Sequence, residues 1–485
     1  MKADGVKKNL ILQFMYQFIV LIVPLIVSPY LARTLGETAI GEYTYINSVA
    51  YYFVLICMLG IQKYGQREIA SKRDDDISLR KSFWSLFFVH VLFSSAGLIG
   101  YVAFCCIFAD NHPLIYYSQA LYVFSAMFDI TWLFYGIERF KIVVIRNIAV
   151  KIAELMFVFT LVKSSDDLFV YAMILSVSAL LGNLSLMPTA FKYIKPIKFE
   201  VEDALTHLKP MLVLSVSVFA ISLYTVFDKT LLGLLSSKES VAYYEYSNKI
   251  INIPKVFITV IGTVLFPRAC NFVSNGDFDS SRRYYEYSLS AIYFIGCASV
   301  FGLLAVSDLF AVIYYGPDFA ACGSIIKLMT PLILIIGIGD LFRMQFLIPL
   351  QKDKQYIVCL FFNAVINVIL STCLIPVMGV YGAVIGTTCA ELFGMLYQFF
   401  LIKKYVGIKD TIISGIPFLT SGIIMLISIY FIRSVMDENI SHLLVQIVLG
   451  AVVYIGVLLV WFLIFSKKRF EIRDLIKGFL GKNNP

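Results

Sequence analysis

The sequence predicts an all-α polytopic membrane protein: fourteen transmembrane helices in two six-helix lobes related by a parallel repeat, with two extra helices at the C-terminal end. Three observations predict it. The 485 residues are 59% hydrophobic and only 15% charged, with a mean hydropathy of +0.83, far more apolar than a soluble domain. Apolar runs of about 20 residues recur along the chain, the length a helix needs to cross roughly 30 Å of hydrocarbon. An early stretch is also echoed in the second half, the mark of an internal duplication.

The runs fall at 10–33, 40–60, 83–109, 113–135, 143–163, 167–190, 210–235, 240–266, 287–314, 320–342, 355–376, 380–402, 411–433 and 441–466. Runs this long specify helices, because no water in the hydrocarbon layer satisfies an open backbone. The first, from Asn9 to Ala32, is too long for a signal-peptide core and no small-residue cleavage site follows it, so it is expected to be a retained span.

The connections test the count. One set carries 31 of the 40 Lys and Arg residues, from Lys2, Lys7 and Lys8 through Lys63–Lys81 to the tail from Lys467. The alternate set carries only Arg33, Lys163, Lys238 and Arg433. Basic residues accumulate on the cytoplasmic side, so this alternation predicts both termini there. The net charge of +8 is then a topology signal, aided by anionic headgroups, and calls for no nucleic acid. The other loops, such as Asp110–Pro113 and Asp437–Asn439, leave no room for a folded extramembrane domain. The tail from Lys467 is expected to be an interfacial helix or a solvated basic segment.

The duplication is carried by two stretches. Ser28-Pro-Tyr-Leu-Ala-Arg33-Thr-Leu-Gly36 runs into Tyr43-Thr-Tyr45-Ile-Asn47 and ends at Arg67; Val226-Phe-Asp228-Lys229-Thr-Leu-Leu-Gly233 runs into Tyr244-Glu-Tyr246-Ser-Asn248 and ends at Arg268. In both copies the Arg follows the Asn by the same interval. Asp129 and Asp340 form a fainter echo, each twelve residues before a Lys (Lys141, Lys352). Both copies start at odd-numbered runs and so point the same way, which predicts a parallel repeat with substrate at the repeat interface. The expected division is a first lobe at 1–200, a second at 201–405, two added spans at 406–466 and a basic tail at 467–485.

Charges inside spans are costly and mark function by default. Arg33 and Lys229, matched in the two copies, suit a phosphate-bearing substrate, one as a bidentate fork and the other as a point charge; snorkelling to headgroups is the alternative. Lys249 and Lys255 sit deeper in their span. Lys151 and Glu154 are three apart on one helix face and read as a self-neutralising pair or as substrate contacts. Asp129, Glu154, Asp228 and Glu391 are the candidates for binding a coupling cation, H⁺ or Na⁺, or for structural counter-ions. Tyrosines such as Tyr43 and Tyr45 suit sugar stacking or an interfacial belt. The nine cysteines lie mostly inside runs and read as apolar filler; the four histidines show no ligand spacing, so no metal or cofactor is expected. Neither a Walker phosphate loop nor a nucleophile–base arrangement appears, so the chain reads as a transporter rather than an enzyme.

Several of these stretches resemble a known family. Pro29-Tyr-Leu-Ala-Arg33-Thr-Leu-Gly36, Phe128-Asp-Ile-Thr-Trp132-Leu-Phe-Tyr-Gly136-Ile-Glu138 and Leu223–Gly233 look like motifs of the Wzx-type polysaccharide-unit flippases of the multidrug/oligosaccharidyl-lipid/polysaccharide exporter superfamily. So do Tyr243-Tyr-Glu245-Tyr-Ser-Asn-Lys249 and Gly379-Val-Tyr-Gly-Ala383 followed by Glu391. The resemblance implies alternating-access export of an undecaprenyl-pyrophosphate-linked oligosaccharide across a bacterial cytoplasmic membrane for surface polysaccharide synthesis. It implies a cavity-facing role for Arg33 and a polyprenyl groove from spans 13 and 14, with other polysaccharide-assembly membrane proteins as partners. The rivals are a cation-coupled multidrug antiporter of the same superfamily, which wants an acid-dominated cavity, and a membrane glycosyltransferase or polymerase, which wants acidic residues on a long outer loop.

Overall fold

The computed structural model describes residues 3–109, 113–433 and 439–465, with the side chains of 3–18, 217, 220, 221, 223–225 and 465 excepted. The basic tail from Lys467 and the loop residues around His112 and Asp437 lie outside the described residues. Helix occurs in every one of the fourteen apolar runs, and no strand occurs among the described residues. In chain order the helices are α1 (Ala3–Thr34), α2 (Gly36–Met58), α3 (Ile61–Lys72), α4 (Asp76–Phe108), α5 (Pro113–Ala126), α6 (Thr131–Gly136), α7 (Phe140–Leu161), α8 (Leu168–Leu184), α9 (Met187–Ala190) and α10 (Val201–Thr206). They continue with α11 (Leu208–Thr225), α12 (Phe227–Leu235), α13 (Lys238–Ser274), α14 (Phe278–Tyr315), α15 (Ala321–Met329), α16 (Pro331–Phe342), α17 (Asp353–Met378), α18 (Val380–Ile402), α19 (Ile408–Arg433) and α20 (Ile440–Phe465).

Among the described residues, nine helical segments are long and apolar enough to cross a bilayer, and a tenth is a pair bent by 42° at Thr330. Three of the remaining four apolar runs depart from a plain span for visible reasons. The fourth run breaks at 127–130 between α5 and α6, and the seventh at Val226 between α11 and α12. Helix α7 carries Arg146, Lys151 and Glu154 in its interior.

The chain packs as two compact units, Met1–Ala242 and Tyr243–Pro485. Within the first, α4 lies against α5, α5 against α8, and α7 against α8. Within the second, α14 lies against α15 and α16, these against α18, and α17 against α18. Helices at matching places in the repeat therefore pack on matching neighbours. The echoed Tyr-x-Tyr-x-Asn segments behave alike: Asn47 on α2 donates to Gln119 of α5 (3.0 Å), while Ser247 on α13 donates to the Cys322 carbonyl of α15 (3.4 Å).

In the first unit the chain turns sharply at Leu59 and Gly60, both left-handed (φ 36° and 71°), and a side chain on Gly60 would press on the Met211 carbonyl at 2.8 Å. Beyond the turn, α3 buries Ile61, Tyr64 and Ile69 against a core that centres on Trp132 of α6. In the second unit α17 and α18 approach closely because Gly382 and Gly386 present no side chain to Leu374 and Ser371; a Cβ there would lie 2.5–2.6 Å from them. Small residues at four-residue spacing let helix backbones meet in a bilayer, where packing and hydrogen bonds hold helices together.

Candidate functional site

In the first unit, polar groups that an apolar chain tolerates only for a reason gather at the break in the fourth run. Asp129 lies in the break, and its carboxylate accepts the Thr131 backbone N–H (3.0 Å), the Thr131 hydroxyl (2.6 Å) and the Gln62 amide from α3 (2.9 Å). This short side chain satisfies the N-terminus of α6 and so makes the break stable. On α7, Lys151 Nζ lies 2.6 Å from the Glu154 carboxylate; Glu154 is buried and Lys151 half-exposed. One turn earlier, Arg146 donates to the Asn183 side chain of α8 (3.3 Å), and Asn183 donates to the Ser125 carbonyl (2.9 Å). Together these line a cavity of about 250 Å³, with Tyr122, Asn147 and Ser178 completing the polar wall and Val54, Met58 and Val150 the apolar one.

The structure thus brings together three predicted residues, Asp129, Lys151 and Glu154, and adds Arg146, Asn183 and Tyr122. The other predicted residues of this unit lie elsewhere. Arg33 is exposed in the last turn of α1. Asp228 is 1% exposed at the start of α12, and Lys229 beside it is half-buried. Helix α12 packs on α2 through a Thr230–Ser48 hydrogen bond (2.9 Å) and through Gly233, which lies flat on the Tyr45 ring. The Tyr45 ring also receives the Lys238 ammonium at 3.6 Å.

In the second unit Lys249 stacks its ammonium over the Tyr246 ring at 4.3 Å. Lys255 faces Asp340 of α16, which is ion-paired to Arg343 at 2.7 Å. Glu391 is buried on α18. On another side of this unit an apolar furrow of about 460 Å³ runs between α13, α14, α19 and α20, past Pro254, Phe294, Met425 and Tyr454. It continues along Leu458 and Phe462 through the shared walls Phe294 and Ile455. No cluster of three or more His, Cys, Asp or Glu side chains able to hold a metal occurs among the described residues.

Residues 6–272, more than half of the chain, match the family model for polysaccharide biosynthesis proteins. The chain belongs to that family. It is 24% identical over 404 residues, 82% of this chain and 100% of the relative, to a Shigella dysenteriae protein assigned as an O-antigen transporter. A counterpart from Escherichia coli with the same assignment is 21% identical, covering 73% of this chain and 86% of its own. Among solved structures, the lipid II flippase MurJ in an inward closed conformation superposes with a TM-score of 0.76 over 96% of this chain and 100% of that one, at 17% identity. That likeness establishes the fold, a multi-pass helical membrane architecture shared with a flippase. The family expected from the quoted motifs is therefore the one found.

Proposed function

We propose that the protein is an alternating-access flippase that moves an undecaprenyl-pyrophosphate-linked oligosaccharide from the cytoplasmic to the outer leaflet of a bacterial membrane, driven by H⁺ or Na⁺. The observation that carries this reading is the charge-lined cavity of the first unit in a chain whose relatives are assigned as O-antigen transporters. An apolar helix bundle sheds such groups unless they meet a polar cargo or each other.

In this reading the repeat defines two lobes, at 1–200 and 201–405, that rock about the substrate. Arg33, Lys229 and Lys249 attract the pyrophosphate, the sugars ride among hydrated side chains that include Lys151, and Lys255 tunes the second lobe through Asp340. The polyprenyl chain stays in the furrow beside α19 and α20. Asp129, Glu154, Asp228 and Glu391 are the acids from which the coupling site is drawn. Cargo and cation must each prefer a different lobe arrangement, since a ligand with equal affinity for both shifts nothing. The chain performs transport and no bond chemistry, with both termini on the cytoplasmic side.

The test is genetic. Arg33→Ala with Lys229→Ala, expressed at the native level in a strain lacking its own copy, abolishes surface polysaccharide and accumulates the lipid-linked intermediate. Unchanged surface polysaccharide overturns the assignment.

A further inference from the structure

The first-unit cavity holds two kinds of polar group, those matched within the protein and those left over. The four charges are matched. Asp129 accepts three hydrogen bonds, Lys151 lies 2.6 Å from Glu154, and Arg146 donates to the Asn183 side chain. Two acids stand against two bases, so the formal charge of the wall sums to zero. The groups left over are Tyr122, Asn147 and Ser178. Each lines the cavity, each is half-buried, and none makes a side-chain hydrogen bond to another described residue. All three are neutral, and each can both donate and accept.

They come from three helices, Tyr122 from α5, Asn147 from α7 and Ser178 from α8. Asn147 lies one turn before Lys151 and so on the same helix face. Apolar walls complete the space: Val54 and Met58 on α2, one turn apart, and Val150 on α7. An occupant that fits must therefore carry hydroxyl-like groups on one side, C–H groups on the other, and no net charge. An acid would bring an unmatched ion into a space of low polarity, where isolated charges are costly. A pyranose ring meets all three demands, since its hydroxyls donate and accept while its C–H face lies on apolar side chains and on the electron-rich face of an aromatic ring. At about 250 Å³ the cavity falls below the size of drug-like ligand sites, which run from about 300 to 1,000 Å³, so it takes one ring and not two.

We propose that this cavity is a subsite for a single uncharged sugar ring of the cargo, with Tyr122 as its platform and Asn147 and Ser178 reading its hydroxyls. The charge-matched wall turns away an acidic sugar and the pyrophosphate, which must be held elsewhere. The proposal rests on the transport reading above and states which part of the cargo this wall meets.

The experiment uses the purified full-length protein in lipid nanodiscs and saturation-transfer NMR titrations. The probes are the methyl glycosides of glucose, galactose, mannose and N-acetylglucosamine, with methyl glucuronoside and methyl galacturonoside as acidic counterparts. At least one neutral glycoside binds to wild type, and each uronate binds about tenfold more weakly than the neutral sugar of the same ring. Tyr122→Leu weakens the neutral sugar by about tenfold and Ser178→Ala, a change too small to disturb the fold, by about fivefold. Glu154→Gln leaves one positive charge in excess and raises uronate binding by about tenfold, a gain that misfolding does not produce. The proposal is overturned by uronates that bind wild type as well as their neutral counterparts, by Tyr122→Leu and Ser178→Ala variants that keep wild-type binding, or by a wild type that binds no glycoside, its cavity then holding water only. No translocation enters the measurement, so its failure leaves the flippase reading standing, and a failure of the Arg33 and Lys229 test leaves the sugar subsite standing.

Discussion

Removing Lys151 while leaving Glu154 in place is the sharpest perturbation of the first-unit cavity. The Lys151–Glu154 contact is 2.6 Å, and its two ends are unequal: the Lys151 side chain is 40% exposed and that of Glu154 only 10%. Stripping the partner from a buried charge typically costs 3–5 kcal/mol. The half-exposed lysine makes this pair partly solvent-screened, which brings the expected cost of Lys151→Met down to about 2 kcal/mol. Glu154→Gln leaves the charge that water can reach, and costs about 0.5–1 kcal/mol. The double variant buries no lone charge, so it recovers about 1 kcal/mol of the Lys151→Met loss, and the cycle reports a non-additive coupling. The assay is denaturant unfolding of the four proteins in the same mixed micelles, followed by far-UV circular dichroism. A Lys151→Met loss no larger than that of Glu154→Gln, or a double variant whose loss is the plain sum, refutes the claim that burial at Glu154 makes this pair matter.

Two further outcomes follow from packing and burial. Gly233→Ala drives a methyl into the Tyr45 ring and destabilises the α2–α12 contact by about 1–3 kcal/mol; adding Tyr45→Ala restores part of the loss, read as a thermal midpoint. His207, at the start of α11, is hydrogen-bonded to the Tyr64 hydroxyl (2.8 Å), and burial pushes its pKa below the usual imidazole value. The folded form therefore resists protonation that the unfolded chain accepts. The His207 contribution is fully present above about pH 6.5 and is lost progressively as pH falls from there towards the folded value. His207→Gln flattens the fall in stability below about pH 6.5, which pH-dependent unfolding measures.

The spans were legible because long apolar runs have only one backbone solution in lipid, and the charge alternation of their connections is independent of that hydrophobicity. The echo around Arg33 and Lys229 was legible as spacing, and the matched packing of α4–α5 and α14–α15 and of α7–α8 and α17–α18 fits it. The breaks were not. Neither glycine nor proline marks residues 127–130, and the break is held by Asp129 capping α6, a tertiary arrangement completed by Gln62 from another helix. Ionisable side chains inside an apolar run stand out and amides do not, so nothing in the sequence singles out Asn183 as part of the cavity wall. Arg146 lies near the start of its run, where basic residues mark a connection, yet it belongs to the cavity wall. Residues 61–72 read as a charged connection, whereas their apolar members Ile61, Tyr64 and Ile69 recur at helical spacing and bury one face of α3.

The most direct measurement of the central claim is a leaflet-accessibility assay on the purified protein in liposomes, using a pyrophosphate-linked oligosaccharide on a short polyprenyl chain with a fluorescent sugar. With the protein present and a Na⁺ or proton gradient imposed, the label protected from an external quencher should fall well below half, and Arg33→Ala should keep it at the protein-free level. Protection identical in protein-free, wild-type and Arg33→Ala vesicles would contradict the account.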